Sequence, residues 1–169
     1  MNLIAAVDAD WGIGRNGGLL CRNPIDMKFF RETTKGHPVV LGRKTLESFP
    51  GGKPLKNRVN IVLSGRHPET GEADGDTRLI YRQSKEHVLE ALKEFEDGEV
   101  FVIGGESVYR LFLPECRTAF ITQMKNHLEP DTFFPNLDED PAWHLAEAGE
   151  WQEYEEIIFR FCRYERLDG

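Results

Sequence analysis

Two stretches of this chain follow the same pattern: a run of apolar residues, then glycine, then a helical segment. Val39-Val40-Leu41-Gly42-Arg43-Lys44-Thr45 is the first, and Val100-Phe101-Val102-Ile103-Gly104-Gly105-Glu106-Ser107 is the second. A helix that starts directly after a strand offers unpaired amides and a partial positive charge, which suit a phosphate. Glycine at the turn lets a ligand approach the backbone closely. Two such turns at the carboxyl ends of parallel strands would grip a pyrophosphate from both sides. Plain strand-to-helix punctuation reads the same way, and neither turn matches G-x-G-x-x-G or G-x-x-x-x-G-K-[ST]. Arg43-Lys44-Thr45 adds two cations and a hydroxyl to the first turn, in an otherwise acidic chain.

Asp26 is the second point of chemical interest. It stands near the start of a helical segment with Ile25, Met27, Phe29 and Phe30. Positions 26 and 30 share one helix face, so a carboxylate and a phenyl ring would line the same wall. An acid beside an aromatic wall suits a flat heterocycle with an amidine-like edge, because the acid accepts two parallel hydrogen bonds while the ring packs. A carboxylate in a first helical turn is also a common cap, and that reading stays open. Between the first strand and this helix runs a glycine-rich segment, Asp10-Trp11-Gly12-Ile13-Gly14-Arg15-Asn16-Gly17-Gly18. It reads either as an active-site lid or as a flexible surface connection.

The elements that must carry these residues follow from pattern. Leu3–Val7 is expected as a strand, and Pro24–Thr34 as a helix with Asn23 as its cap and Pro24 at its first position. Pro38–Leu41 is a buried strand, followed after Gly42 by a short helix, Arg43–Ser48. Asn60–Leu63, Arg78–Tyr81, Glu99–Ile103 and Thr118–Met124 are further strands. Ser84–Glu96 has Val88, Leu92 and Phe95 on one helical face, and Ser107–Phe112 follows the second glycine turn as a helix. Arg66–Asp76, rich in glycine, proline and acids, reads as a surface loop. Ile157–Tyr164 alternates, with Phe159 and Phe161 on one side and Ile158, Cys162 and Tyr164 on the other. The alternation predicts one α/β domain over residues 1–169. Its centre is a mostly parallel twisted sheet of about eight strands with an antiparallel C-terminal edge, flanked by about four helices.

Composition narrows the function. The chain has 169 residues, with 21 basic and 29 acidic side chains and a net charge of −8. That balance argues against a nucleic-acid or anionic-membrane surface, so any anion must be held by a few local cations and oriented amides. Cys21, Cys116 and Cys162 are widely and irregularly spaced, with no disulfide framework. His37, His67, His87, His127 and His144 never fall at ligand spacing, so no metal is expected. Met1 is followed at once by the first strand, with no basic leader or long apolar run, and a reducing cytoplasm is the expected compartment.

These features together resemble the dihydrofolate reductase family along nearly the whole chain. Leu3–Val7 is similar to that family's first strand, and Gly12-Ile13-Gly14 to the start of its nicotinamide loop. Asn23–Phe30 resembles its pterin-binding helix, and Gly42-Arg43-Lys44-Thr45-x-Glu47-Ser48 its G-R-x-T-x-E-S signature. Arg58–Ser64, Ile103-Gly104-Gly105-x-x-x-Tyr109, Thr122, Asp131–Pro135 and Phe161-x-x-Tyr164 follow in order. The resemblance implies hydride transfer from NADPH to 7,8-dihydrofolate, giving 5,6,7,8-tetrahydrofolate for one-carbon and nucleotide metabolism. It implies a cytoplasmic monomer that also binds antifolates.

The resemblance also assigns roles. Asp26 is the ionisable group of the pterin site. Ile4, Ala5, Met27, Phe30, Phe49, Leu55, Ile103 and Thr122 line the substrate cleft, with Arg58 on the glutamate α-carboxylate. Ala6 and Ile13 reach the nicotinamide through their backbones, and Gly14, Gly17, Gly18 and Leu19 belong to the loop that closes over it. Gly42, Arg43, Lys44 and Thr45, together with Gly104, Gly105, Glu106, Ser107, Val108 and Tyr109, hold the cofactor phosphates. Ser64, Gly65, Arg66 and Gln83 lie on the adenosine side. The Gly104–Gly105 peptide is expected to be cis. The chain departs from the family at Leu19-Leu20-Cys21, where Leu-Pro-Trp or Met-Pro-Trp is usual, at Asn23, and at Ser107, where some members carry arginine. Two rivals remain. A pyrimidine reductase of the riboflavin pathway would need neither Asp26 with Phe30 nor Arg58. A non-catalytic NADP- or pterin-binding module would explain Cys21.

Overall fold

The computed structural model describes residues 1–167. Its centre is a strand that nothing polar interrupts. β1 (Asn2–Val7) lies between β8 (Phe101–Gly104) and β9 (Thr118–Met124), parallel to both. Outward from β8 come β4 (Pro38–Gly42), β5 (Val59–Leu63) and β7 (Thr77–Arg82), all parallel. β6 (Thr70–Asp74) closes that edge antiparallel to β7. On the other side β13 (Ile157–Arg166) runs antiparallel to β9. β11 (Trp143–Ala148) and β12 (Gln152–Tyr154) both pair with β13.

Strand parity divides the core into two layers. Leu3, Val40, Ile61, Val102 and Ile121 point to one side. There they meet Val88 of α3 (Lys85–Ala91) and Val108, Tyr109 and Phe112 of α4 (Glu106–Phe112). Ile4, Val39, Leu41, Val62, Phe101 and Ile103 point to the other side. They meet Phe29 and Phe30 of α1 (Pro24–Thr34) and Leu46 of α2 (Arg43–Ser48). The near-continuous apolar runs of β4, β5 and β8 reflect this covering of both faces. In β13, Phe159 is fully buried, and Cys162 and Tyr164 join the first layer as their parity predicts, whereas Ile158 is exposed.

The expected mixed architecture is present, with more short strands than the sequence pattern shows. The main sheet has ten strands and is antiparallel at both edges. The Arg66–Asp76 segment is not a plain loop. β6 within it is exposed along its length, so no apolar alternation marks it, and its hairpin to β7 turns at Gly75 with φ 60°. The helix expected over Ser84–Glu96 is shorter. Ser84 caps it, the chain tightens into a 3₁₀ turn at Leu92–Glu94, and Phe95 packs from an extended conformation. The strand expected from Glu99 starts at Phe101. Asp97–Glu99 is a 3₁₀ turn held by the Met1 ammonium on Asp97 and the Asn2 amide on Gly98 O.

A second, small sheet sits at the carboxyl end of β1. β2 (Gly12–Arg15) and β3 (Gly18–Leu19) form a hairpin that turns at Asn16-Gly17, where φ is 53° and 78°. Asn-Gly with both residues left-handed is a hairpin turn matched to strand twist. β10 (Thr132–Phe133) pairs with β2. Among the described residues no helix is long and apolar enough to cross a membrane.

Asn60 shows how buried polarity holds the β5 edge. It is fully buried, and its Oδ1 accepts from Leu55 N while its Nδ2 donates to the carbonyls of Leu55, Arg58 and Arg78. Asn60→Ala removes the partner of both Leu55 N and Leu55 O, and we expect a loss of about 2–4 kcal/mol in urea unfolding. A loss under about 0.5 kcal/mol would show that the chain re-pairs them locally.

Candidate active site

α1 begins where it does because Asn23 caps it, its Oδ1 accepting from Ile25 N at 3.0 Å, with Pro24 following. The capping task therefore falls to Asn23, and the Asp26 carboxylate is turned to a different partner. Its Oδ1 accepts from Thr122 Oγ1 at 2.6 Å. Thr122 stands opposite Ala6 on β1, on the parity that faces α1. Burial pushes the Asp26 carboxyl above its ordinary range, and the Thr122 hydroxyl pulls it partly back.

The walls around this acid are apolar. Ile4 and Ile103 are buried in the α1-side layer, and Phe30, Phe49 and Leu55 pack against it. Met27 is exposed at the helix surface, and Ala5 packs on the opposite layer. Tyr109, also buried, donates to Ile4 O at 2.6 Å, so one hydroxyl ties α4 to the central strand. Burial first, and then the charge of Asp26, push its phenol upward. Cys21 is half-buried with Sγ 3.5 Å from Met124 Sδ. Burial, and then Asp26, raise its thiol as well. The thiol thus stands beside the acid, in contact with β9.

Arg58 is almost fully buried. Its Nε donates to Thr34 Oγ1 at 2.9 Å, and its terminal nitrogens donate to Lys56 O at 2.6 Å and Arg31 O at 3.2 Å. A guanidinium has five donor hydrogens. Three are used here, and 5 − 3 leaves two, one on each terminal nitrogen. No carboxylate pairs with it among the described residues. Burial and the nearby Arg31 lower its pKa, yet a guanidinium stays charged.

The two glycine turns lie side by side, because β4 and β8 are neighbours with Leu41 opposite Gly104. Gly42 caps α2 and Gly105 caps α4. The Gly104–Gly105 peptide is cis, as expected, and Gly104 has φ 129°, a conformation that disfavours any side chain. A Cβ on Gly105 would meet Thr45 Oγ1 at 3.4 Å, and one on Gly42 would meet Val108 at 3.2 Å. Arg43 is paired with Glu47 at 2.8 Å, whereas Lys44 and Arg66 form no ion pair among the described residues.

Ser64 is buried and accepts from His67 N, and Gly65 has open space before it. Gln83 donates through its backbone to Glu69 and through its amide to His67 O. Sequence reasoning passed over His67, which stacks on Tyr81 with centroids 3.5 Å apart and planes at 13°. It also passed over Glu69, which receives His87 at 2.6 Å. Only their nearness to Ser64–Arg66 along the chain hinted at either.

The glycine-rich segment is anchored at its base. Asp8, buried, accepts from Asp10 N and Gly12 N on one oxygen and from Leu128 N on the other. A Cβ on Gly12 would lie 2.1 Å from Pro130, so only glycine allows this approach. Ile13 packs inward, while Gly17, Gly18 and Leu19 are exposed. Asp131 accepts from Asn16 N at 2.9 Å. Glu106, expected among the phosphate-binding residues, accepts with its side chain from Phe133 N at 2.6 Å, and Ser107 is exposed.

A half-buried carboxylate against apolar walls, on a sheet whose strands β4 and β8 end in adjacent glycine turns, fits a nucleotide-dependent α/β reductase class. The dihydrofolate reductase family model matches residues 1–166, and the chain belongs to that family. It is similar to the dihydrofolate reductase of Haemophilus influenzae, 34% identical over 163 residues, covering 96% of this chain and 94% of that one. It is similar to that of Mycobacterium leprae, 37% identical over 158 residues, 89% and 88% of the two chains. A solved Enterococcus faecalis dihydrofolate reductase, complexed with NADP(H) and RAB-propyl, superposes with a TM-score of 0.81. It is 34% identical over 99% of this chain and 96% of that one.

The raised carboxyl of Asp26 carries a testable consequence. A folded-state pKa above the unfolded one gives stability that is complete below about pH 3.9 and lost as pH rises through the folded value. Asp26→Asn has no such loss. The variant should gain stability relative to wild type as pH rises above about 3.9, measured by urea unfolding at each pH. A gap that shrinks with rising pH would mean the carboxylate is stabilised rather than strained by its surroundings.

Proposed function

We propose that this chain reduces 7,8-dihydrofolate to 5,6,7,8-tetrahydrofolate with NADPH. The observation that carries the reading is Asp26, freed from capping by Asn23, held by Thr122, and set in an apolar cleft beside the glycine turns. An ionised acid there accepts two parallel hydrogen bonds from a pterin edge, and Phe30, Ile4, Phe49, Leu55 and Ile103 supply flat apolar walls. Its negative charge favours a cationic pterin, so a proton can arrive from water without a second protein acid. The two unused N–H groups of Arg58 form a fork suited to the substrate's α-carboxylate.

The residues fit the cofactor. Gly104 and Gly105 keep side chains out of the turn, and Lys44 and Arg66 are cations without carboxylate partners among the described residues. Arg43, Lys44 and Thr45 with the turn after β8 would hold its phosphates, and Ser64, Gly65, Arg66 and Gln83 its adenosine side. When bound, NADPH supplies the hydride. Ala6 and Ile13 offer backbone groups where β1 ends, and Gly14, Gly17, Gly18 and Leu19 form the hairpin that excludes water on closure. The chain acts as one domain over residues 1–169, as a cytoplasmic monomer, and binds antifolates in the same cleft. Its free cysteines, two of them buried, agree with a reducing compartment.

The direct test is loss of NADPH absorbance with and without dihydrofolate. Turnover should need both, NADH should be much poorer, and no turnover between pH 5 and 9 would overturn the reading. Asp26→Asn should cut turnover at pH 7 by roughly 10²- to 10⁴-fold and recover in part as pH falls. Arg58→Lys keeps the charge and loses the fork. It should raise the KM for dihydrofolate about 10- to 100-fold and leave NADPH affinity unchanged.

A further inference from the structure

Glu106 opens α4 directly after the Gly104–Gly105 turn. Its carboxylate has no hydrogen to donate to a phosphate and its charge opposes one, so a phosphate contact at this position falls to the backbone amide and leaves the side chain for another task. A negative charge in a first helical turn complements the helix dipole, which would account for its presence but not for its contact. One oxygen accepts the Phe133 amide at 2.6 Å, and the other lies 3.6 Å from Arg110 Nε.

Phe133 belongs to β10, a strand of two residues whose pairing partner is β2. Thr132 stands opposite Gly14 and Phe133 opposite Gly12. Asp131, just before them, donates from its amide to Gly14 O and accepts from Asn16 N. The path from turn to hairpin is therefore short: the chain from Gly104–Gly105 to Glu106, its hydrogen bond to Phe133, then the pairing of β10 with β2 and of β2 with β3. β10 has no pairing with the main sheet, so Glu106 is its side-chain link to the end of β8.

We propose that Glu106 is a positioning residue that couples occupation of the Gly104–Gly105 turn to ordering of the β2–β3 hairpin. This rests on the NADPH reading above. A ligand that fixes the turn fixes the first residue of α4, and the carboxylate passes that restraint to β10 and so to the hairpin. The coupling needs no contact between ligand and hairpin.

The test uses 2′-phospho-ADP-ribose, which carries the cofactor's phosphates and lacks its nicotinamide. Calorimetry measures its affinity for wild type, Glu106→Ala and Glu106→Gln, and amide hydrogen exchange is followed at saturation. In wild type the fragment should slow exchange across residues 12–19 and at Phe133 by about tenfold. Glu106→Ala should bind it without that slowing. Glu106→Gln, whose amide oxygen still accepts, should restore part of it. With full substrates, Glu106→Ala should lower kcat more than it raises the KM for dihydrofolate. Equal slowing in wild type and Glu106→Ala overturns the coupling and leaves the NADPH reading standing. A fragment that fails to bind wild type overturns both.

Discussion

A 2.6 Å hydrogen bond from Thr122 to Asp26 joins the sheet to α1, and the cleft depends on it. It can form because β9 lies parallel beside β1 with Thr122 opposite Ala6, so that strand parity turns the hydroxyl toward the helix. It also needs α1 held down on that face. Phe29 does this from the helix, its ring centroid 4.6 Å from that of Phe161 on β13. The antiparallel strand added last in the chain thus presses the acid-bearing helix onto the central strands. Asn23 completes the arrangement by taking the cap, without which Asp26 would compete for the helix amides.

Electrostatically the molecule separates its global and local charge. A net charge of −8 repels a polyanionic ligand at long range, but ionic strength screens such fields within about 10 Å. Recognition then falls to buried or preorganised donors. Arg58 is held by a threonine hydroxyl and two backbone carbonyls rather than by a carboxylate, so its charge is positioned without being neutralised. Asp26 is the opposite case, a half-buried carboxyl given one hydroxyl and no ion pair among the described residues. Arg58 keeps two N–H groups unused and Asp26 has one oxygen without a hydrogen-bond partner among the described residues, so each retains bonding capacity of opposite sign.

The glycine-rich segment shows a different use of acids. Asp8, Asp131 and Glu106 each accept backbone amides rather than pairing chiefly with lysine or arginine. Charge-assisted bonds to amides fix this short glycine-rich hairpin, and Trp11 and Ile13 add packing against the core at its base. The hairpin tip stays exposed while its base is anchored beside β1.

Local signals were readable without any structure. The cap-and-proline start of α1, the apolar runs of β4, β5 and β8, the two strand-to-glycine turns and the alternation of β13 all rest on neighbours within a few residues. The order of family motifs added the identity of Asp26 and the cis Gly104–Gly105 peptide. Other features needed the tertiary structure, because they depend on partners far away in sequence. β6, exposed throughout, has no apolar alternation and exists only because β7 offers it an edge. From its neighbours alone Asp26 could be a cap or a ligand-facing acid, and its partner Thr122 lies 96 positions away. The Glu106 side chain accepts from the amide of Phe133, 27 positions away, which no local pattern shows. Residue type and spacing determine which groups can bond. Which of them meet is decided by the pairing of strands and the packing of helices across the whole chain, since a hydrogen bond has meaning only over about 3 Å.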